Sequence, residues 1–152
     1  MVNLKTKVII KTHFDLCTGC LICQLECSAW LFNGFNPHRS ALNIKHTNEN
    51  LYHFPIVCNH CENTYCAKVC PAKAISRNEA TGAIVVDQEK CVGCKKEYCT
   101  VYCPINVIHI EPVSRKAYKC DLCQGAPRCV ESCPTGALEL VTRISFSQGE
   151  NE

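Results

Sequence analysis

The sequence predicts an α+β fold of two interleaved units, in which short strands, hairpins and short helices are arranged around inorganic sites rather than around a large apolar core. Three observations predict it. The 16 cysteines in 152 residues fall into four groups of four, and in every group the first two are three positions apart and the last two are four apart. The apolar content is thin: the 47% hydrophobic fraction includes the cysteines, and roughly 36% remains without them, lean for a chain that must bury a core. The stretches between the groups read as short strands and tight turns, not as long helices.

The groups are Cys17, Cys20, Cys23, Cys27; Cys58, Cys61, Cys66, Cys70; Cys91, Cys94, Cys99, Cys103; and Cys120, Cys123, Cys129, Cys133. No cysteine is left over, and in the last three groups the final one is followed by Pro71, Pro104 and Pro134. This is the spacing of the bacterial ferredoxin motif, in which four thiolates hold each 4Fe-4S cubane. The expected cofactors are therefore four 4Fe-4S clusters, held in two bacterial-ferredoxin-like 2×(4Fe-4S) units, with all sixteen cysteines binding iron. Inorganic cores would fill the missing interior. The metal-free chain is expected to fold poorly, since the ligand thiolates repel one another and have no other packing role.

A framework of disulfides is disfavoured by the strict fourfold frame and by the lack of an export signal. Structural zinc would use two separated C-x-x-C knuckles per site, whereas here three ligands sit in a tight loop with a remote fourth before proline. Catalytic cysteine chemistry has no support, because no cysteine stands apart from the set; no catalytic residue is expected.

The formal charge of +2 changes once clusters are counted. Four oxidised cubanes, each a 2+ core on four thiolates, would contribute about −8 and leave the loaded protein near −6. Nucleic-acid binding is not expected, and the lysines and arginines read as local compensation for anionic clusters. Met1 to Phe14 carries no long apolar run, small-residue cleavage site or twin arginine, and no stretch reaches the length of a membrane helix. Free thiols in this number point to a reducing compartment, so a cytoplasmic protein without membrane insertion is expected.

Along the chain, Lys7 to Lys11 (KVIIK) predicts a strand. The first cysteine group is compact, while the second and third lengthen the middle gap to four residues and the fourth to five. The extra residues, Glu62 to Tyr65, Lys95 to Tyr98 and Gln124 to Arg128, are expected as bulges that serve either as plain surface or as partner contacts. Ser28 to Val57 lacks cysteine and holds Trp30, Phe32, Phe35, Tyr52 and Phe54; an aromatic cap over a cluster is favoured there over a docking surface. One helical turn is expected between the third and fourth cysteines of a group, so that Cys66 and Cys70, and Cys99 and Cys103, share a face. AIS and AIVVD, around Glu79 to Gly82, predict a hairpin. Val107 to Glu111 (VIHIE) predicts a strand and Pro112 to Arg115 a turn. Leu138 to Ile144 (LELVTRI) predicts a strand able to pair with KVIIK, and Ser147 to Glu152 a frayed tail.

In two-cluster ferredoxins the fourth cysteine of a group ligates the other cluster. Applied here, the whole chain, 1–152, is a single polyferredoxin unit. Its inner part, 58–113, pairs the middle groups: Cys58, Cys61, Cys66 with Cys103, and Cys91, Cys94, Cys99 with Cys70. Its outer part, 1–57 plus 114–146, pairs Cys17, Cys20, Cys23 with Cys133, and Cys120, Cys123, Cys129 with Cys27.

The segments CTGCLICQLECS, VCNHCENTYCAKVCP, CVGCKKEYCTVYCP and CDLCQGAPRCVESCPTGAL resemble the four-cluster electron-transfer subunits found beside molybdenum and tungsten enzymes of the dimethyl sulfoxide reductase and aldehyde oxidoreductase classes. The similarity covers Cys17 to Leu138. The small size and the NPHRS stretch, Asn36 to Ser40, resemble in particular the small subunits that accompany tungsten-dependent aldehyde oxidoreductases and benzoyl-coenzyme A reductase. The resemblance implies a non-catalytic subunit that relays electrons between a large catalytic pterin subunit, containing tungsten or molybdenum, and a ferredoxin, flavin or NAD-linked subunit. A formate dehydrogenase or hydrogenase complex, and a free polyferredoxin, are the competing readings, and further copies of the chain are an additional candidate partner. Some relatives replace a ligand in the third group, whereas here Cys91, Cys94, Cys99 and Cys103 are all present.

Lys68, Lys73, Lys95, Lys96, Lys119 and Arg128 lie close to ligand cysteines in sequence and are expected to raise the potential of nearby clusters, subject to solvent screening. His60 reads as an exposed loop residue rather than a hydrogen-bond donor to cluster sulfur. His13, His38, His46, His53 and His109 lack metal-ligand spacing and read as surface or edge residues.

Overall fold

The two terminal runs become strands and find each other across the length of the chain. In the computed structural model, which describes residues 4–146 with the side chains of 4–6 and 143–146 left aside, β1 (Leu4–Thr12) pairs antiparallel with the last strand, Leu138–Phe146. The register sets Ile9 opposite Val141 and Thr12 opposite Leu138. Ile9, Ile10 and Leu138 are buried while Leu140 stays exposed, so the ladder is covered on both faces at Ile9 and Ile10, which are neighbours on opposite sides of the strand. The tail after Phe146 lies outside the described residues.

Between these ends the order is α1 (Ile22–Phe32), β2 (Asn43–Thr47), β3 (Tyr52–Ile56), α2 (Tyr65–Lys68), β4 (Ile75–Arg77), β5 (Ile84–Val86), α3 (Tyr98–Val101), β6 (His109–Ile110), β7 (Ala117–Tyr118), α4 (Arg128–Glu131) and β8 (Leu138–Phe146). Each sheet is an antiparallel pair: β1 with β8, β2 with β3, β4 with β5, and β6 with β7. The hairpin expected from AIS and AIVVD is β4–β5. The strand expected over Val107 to Glu111 is shorter: only His109 and Ile110 pair with β7, because Val107 and Ile108 turn fully into the interior. The turn after it is closed by the Glu111 carboxylate, which accepts from the N–H of Val113 at 2.9 Å and of Ser114 at 2.5 Å.

The segment Ser28 to Val57 holds a hairpin, β2–β3, that the sequence pattern does not predict. Its turn runs through Asn48, Glu49 and Asn50, all left-handed, with φ of 51°, 56° and 66°. Asparagine tolerates that region, which explains two of the three.

The longest helix, α1, buries Cys23, Gln24, Cys27 and Ser28, two pairs at i, i+4 that form one stripe. The helix stops at left-handed Asn33, whose N–H still reaches Ala29 O. The NPHRS stretch then folds back beneath it. Gln24 Nε2 donates to Pro37 O at 3.0 Å, Asn36 Oδ1 accepts from His38 N–H, and Arg39 lies 4.0 Å over the Phe32 ring while pairing with Glu111 at 2.9 Å. One apolar core joins α1, β1, β8 and Leu122 to Leu42, Ile44 and Ala83, and a smaller one gathers Ile75, Ile84, Cys99, Ile108 and Ala117.

Candidate metal centres

Four short turns of helix decide where the thiols go. Cys23 and Cys27 on α1, and the pairs Cys66/Cys70, Cys99/Cys103 and Cys129/Cys133 at the ends of α2, α3 and α4, are each separated by about one turn, roughly 6 Å along the axis. In every pair the two sulfurs open into different cavities. One cavity is lined by Cys17, Cys20, Cys23 and Cys133; the next by Cys27, Cys120, Cys123 and Cys129; a third by Cys58, Cys61, Cys66 and Cys103; and the fourth by Cys70, Cys91, Cys94 and Cys99. Below they are called the Cys17, Cys27, Cys58 and Cys70 cavities. Their volumes, mouths included, run from about 320 to about 410 Å³. Each thus draws three cysteines from one group and a fourth from another.

All sixteen cysteines are free thiols, so the disulfide alternative has no counterpart in the fold. Four sulfurs around a single zinc would stand roughly 3.8 Å apart, given a Zn–S bond near 2.3 Å. Among the described residues no three or more Cys, His, Asp or Glu side chains gather closely enough to hold one metal ion. The quartets are spread around a cavity, as a polynuclear cofactor requires.

Burial resists charging these thiols without a compensating cation. It is the main cause that pushes Cys23 up to about 12, with the neighbouring Cys20 adding to it, and Cys99 up to about 11, with Cys94 next. Burial drives Cys120 and Cys129 further up still. Such sulfurs become thiolates when a positive core binds them, which is the behaviour expected of iron ligands. Backbone N–H groups already point at several: Ala41 to Cys27 Sγ and Ala74 to Cys70 Sγ at 3.3 Å, and His60 to Cys58 Sγ and Ala117 to Cys91 Sγ at 3.4 Å. At Cys133, burial is outweighed by hydrogen bonds from Thr135, Ala137 and Leu138, which bring the thiol below its usual value.

His60 is not an exposed loop residue: its relative exposure is 0%, and it lines the Cys58 cavity. Its Nδ1 accepts the Ile84 N–H at 2.9 Å, so the proton of the neutral ring sits on Nε2. Nε2 is buried and has no partner among the described protein atoms, a loss of about 1–3 kcal/mol unless something in the cavity accepts its hydrogen. Cluster sulfur would do so, and the residues present therefore fit the group. The asparagine–histidine–cysteine order carried the clue, but burial comes from β4–β5 closing over the loop, which no local pattern reports.

The six cations near the ligands do not share one environment. Lys68, Lys73, Lys95, Lys96 and Arg128 are exposed, where solvent weakens their pull. Lys119 is buried at 4% exposure, lines the Cys58 cavity, and donates from Nζ to Ile84 O and, at 3.1 Å, to Cys120 O. The expected bulges, Glu62 to Tyr65, Lys95 to Tyr98 and Gln124 to Arg128, are mostly exposed, with Pro127 turned inward. Of the aromatics in Ser28 to Val57, Trp30 donates to both Asp121 oxygens at 3.0 and 3.2 Å beside the Cys27 cavity, and Phe32 packs edge-on to Tyr118 at 4.9 Å. Phe54 stacks on Phe14 at 5.2 Å, while Phe35 and Tyr52 are exposed. Only part of that aromatic set packs inward. Among the other histidines, His109 is half-buried and His46 and His53 face each other, Nδ1 to Nδ1, at 2.7 Å.

A family model described as "4Fe-4S dicluster domain" matches residues 49–143. The chain belongs to that family. As a 4Fe-4S dicluster protein its chemistry is iron–sulfur electron transfer, and the matched span holds the last three cysteine groups, with the first lying ahead of it.

The B subunit of the anaerobic dimethyl sulfoxide reductase of Escherichia coli (strain K12) is 35% identical over 144 residues, covering 82% of this chain and 68% of that subunit. The polyferredoxin-like subunit of the aliphatic sulfonate oxidoreductase of Pyrococcus furiosus is 35% identical over 131 residues, 84% of this chain and 74% of the other. The putative oxidoreductase AegA of Escherichia coli (strain K12) is 36% identical over 154 residues, but the match, 91% of this chain, spans only 22% of AegA. Among solved structures, the active site complex BamBC of benzoyl coenzyme A reductase contains a chain of similar fold, with TM-score 0.58 and 24% identity over 97% of this chain and 84% of the other. Among the described residues no helix is long and apolar enough to cross a membrane.

Proposed function

We propose that this 4Fe-4S dicluster family member is a four-cluster relay subunit that passes single electrons between a large catalytic subunit with a molybdenum or tungsten pterin and a ferredoxin, flavin or NAD-linked partner. The observation that carries the number four is the set of four cavities, each walled by four cysteines and together using all sixteen. The ligand sets are those of the cavities, and the inner part, 58–113, and the outer part, 1–57 with 114–146, would each hold two clusters. The names of the relatives, among them an electron transfer subunit of thiosulfate reductase from Salmonella typhi and the B subunit of dimethyl sulfoxide reductase, support the partner class.

When bound, a cubane takes up and releases one electron with little movement of its ligands. The chain's own residues supply the rest. α1 and α4 tie the Cys17 cavity to the Cys27 cavity, and α2 and α3 tie the Cys58 cavity to the Cys70 cavity. The middle joint is made by Cys120, a wall of the Cys27 cavity whose thiol feels that of Cys58. These shared elements support the order Cys17, Cys27, Cys58, Cys70 for the relay.

Anaerobic isolation tests the reading. About sixteen iron and sixteen labile sulfide per chain are expected, with paramagnetic signals after dithionite treatment, and copurification with a pterin-containing large subunit. Iron and sulfide for only two cubanes would refute the four-cluster assignment. A stable complex with a hydrogenase or formate dehydrogenase subunit instead would redirect the partner.

A further inference from the structure

We propose that His60 and Lys119 make the Cys58 cavity the seat of the highest-potential cluster in the chain, an inference that rests on the four-cluster reading above. Hydrogen bonds and positive charge aimed at cluster sulfur favour the reduced, more negative state. Backbone donors do not rank the cavities, because the Cys27, Cys58 and Cys70 cavities all have them: Ala41 to Cys27, His60 N–H to Cys58, and Ala74 and Ala117 to Cys70 and Cys91. At the Cys17 cavity, hydrogen bonds from Thr135, Ala137 and Leu138 hold the Cys133 sulfur.

Two side chains break the near-equality. The His60 ring is clamped by Ile84 N–H on Nδ1 at 2.9 Å, and its other edge, Nε2–H, is buried in the wall of the Cys58 cavity without a protein acceptor. A thiolate or sulfide of the cluster is the acceptor left to it. With Nδ1 occupied as the acceptor of the Ile84 N–H, the ring presents Nε2–H as a single donor.

Lys119 is the only Lys, Arg, Asp or Glu that is buried among the described residues. Its ammonium meets the carbonyls of Ile84 and Cys120 and forms no ion pair with a carboxylate there. A buried cation with only carbonyl partners is costly unless a nearby anion balances it. The four thiolates and sulfides of the Cys58 cavity supply that anion. The neighbouring Cys27 cavity is lined instead by Asp121, whose negative charge opposes reduction there. The Cys58 cavity thereby gains a buried cation, while a carboxylate stands in the wall of the Cys27 cavity.

The test uses the intact chain, isolated anaerobically with ¹⁵N-histidine and reduced stepwise. Pulsed EPR of the first cluster reduced is expected to show coupling to one histidine nitrogen in the wild type. That coupling is expected to vanish in His60→Leu. In a potentiometric titration the highest of the four potentials is expected to fall in His60→Leu and in Lys119→Met and to be retained in Lys119→Arg, with the other potentials in place. A wild-type first-reduced cluster without histidine coupling overturns the assignment even if a variant fails to assemble, and so does a highest potential unmoved by both removals. Iron and sulfide are measured on the same sample: a content short of four cubanes strikes the underlying reading, whereas a full content without the coupling strikes this inference alone.

Discussion

Lys119 and Asp121 stand on either side of Cys120 with opposite charges and opposite surroundings. The lysine is turned inward, its ammonium on the carbonyls of Ile84 and Cys120, while the aspartate accepts from the Trp30 indole at 3.0 Å and from the Cys123 N–H at 2.8 Å. One residue of chain thus separates a cation on the Cys58 cavity from an anion on the Cys27 cavity. A single cysteine of the Cys27 cavity wall lies at the boundary between two electrostatic environments.

Asp121→Asn keeps the shape and one acceptor oxygen, which at the Oδ1 position still meets the Cys123 N–H at 2.8 Å and the Trp30 indole at 3.2 Å, but removes the charge. The potential of the cluster in the Cys27 cavity is expected to rise by roughly 50 mV, about 1 kcal/mol for one electron, with the other three unmoved. Potentiometric EPR titration reads it. A uniform shift of all four would mean that the carboxylate acts on the fold and not on one site.

The exchange of the fourth cysteine between groups makes a directional prediction. Cys70 stands in the wall of the cavity built by Cys91, Cys94 and Cys99, so Cys70→Ser is expected to alter or lose the cluster of the third group while Cys58, Cys61, Cys66 and Cys103 keep theirs. Mössbauer and EPR comparison with Cys103→Ser, which should strike the other inner cluster, checks the pairing. Damage confined to the second group's cluster in Cys70→Ser would sink it.

Much of this frame was legible in the sequence because it is local. Cysteine spacing places pairs one helical turn apart, and the short apolar run of KVIIK with the partly alternating LELVTRI marks strands that need cover. The hairpin β2–β3 is hidden for a physical reason: Pro55 sits within β3 opposite Ile44, and proline in a run argues against a strand unless it lies at an edge. In a two-stranded sheet both strands are edges. His60 looks like a loop residue because its burial is imposed by Ile84, 24 residues away, and proximity to cysteine alone does not tell Lys119 from five exposed cations. Local pattern specifies where sulfur goes; the long-range closure of β4–β5 and β7 specifies which polar groups are shut in with it.

Gly19 lies between Thr18 and Cys20 with φ of +69°, and a Cβ there would stand 2.6 Å from His53 Nδ1. Gly136, in the same wall region of the Cys17 cavity, has φ of +68° but nothing within 4 Å. Gly136→Ala is therefore expected to cost about 1–2 kcal/mol of backbone strain and retain iron. Gly19→Ala adds a collision with a packed ring and is expected to lose the cluster of the Cys17 cavity. Adding His53→Ala should restore part of the iron content, and no recovery in that double variant would show that backbone strain alone is responsible.

Acid should weaken the fold through His60. Burial is the chief reason its imidazole is held down at about 3, against an ordinary value of 6.5. The unfolded chain therefore takes up a proton that the folded chain refuses, and stability from this group is present above pH 6.5 and is lost as the pH falls toward 3. At pH 5 the loss is about 2 kcal/mol. Denaturant midpoints of the wild type and of His60→Gln, compared at pH 7 and pH 5 under anaerobic conditions, isolate it from the acid lability that both proteins share. The wild type is expected to lose more than the variant between those two pH values, and equal losses would mean that the ring takes a proton on Nδ1 inside the fold and releases the Ile84 N–H.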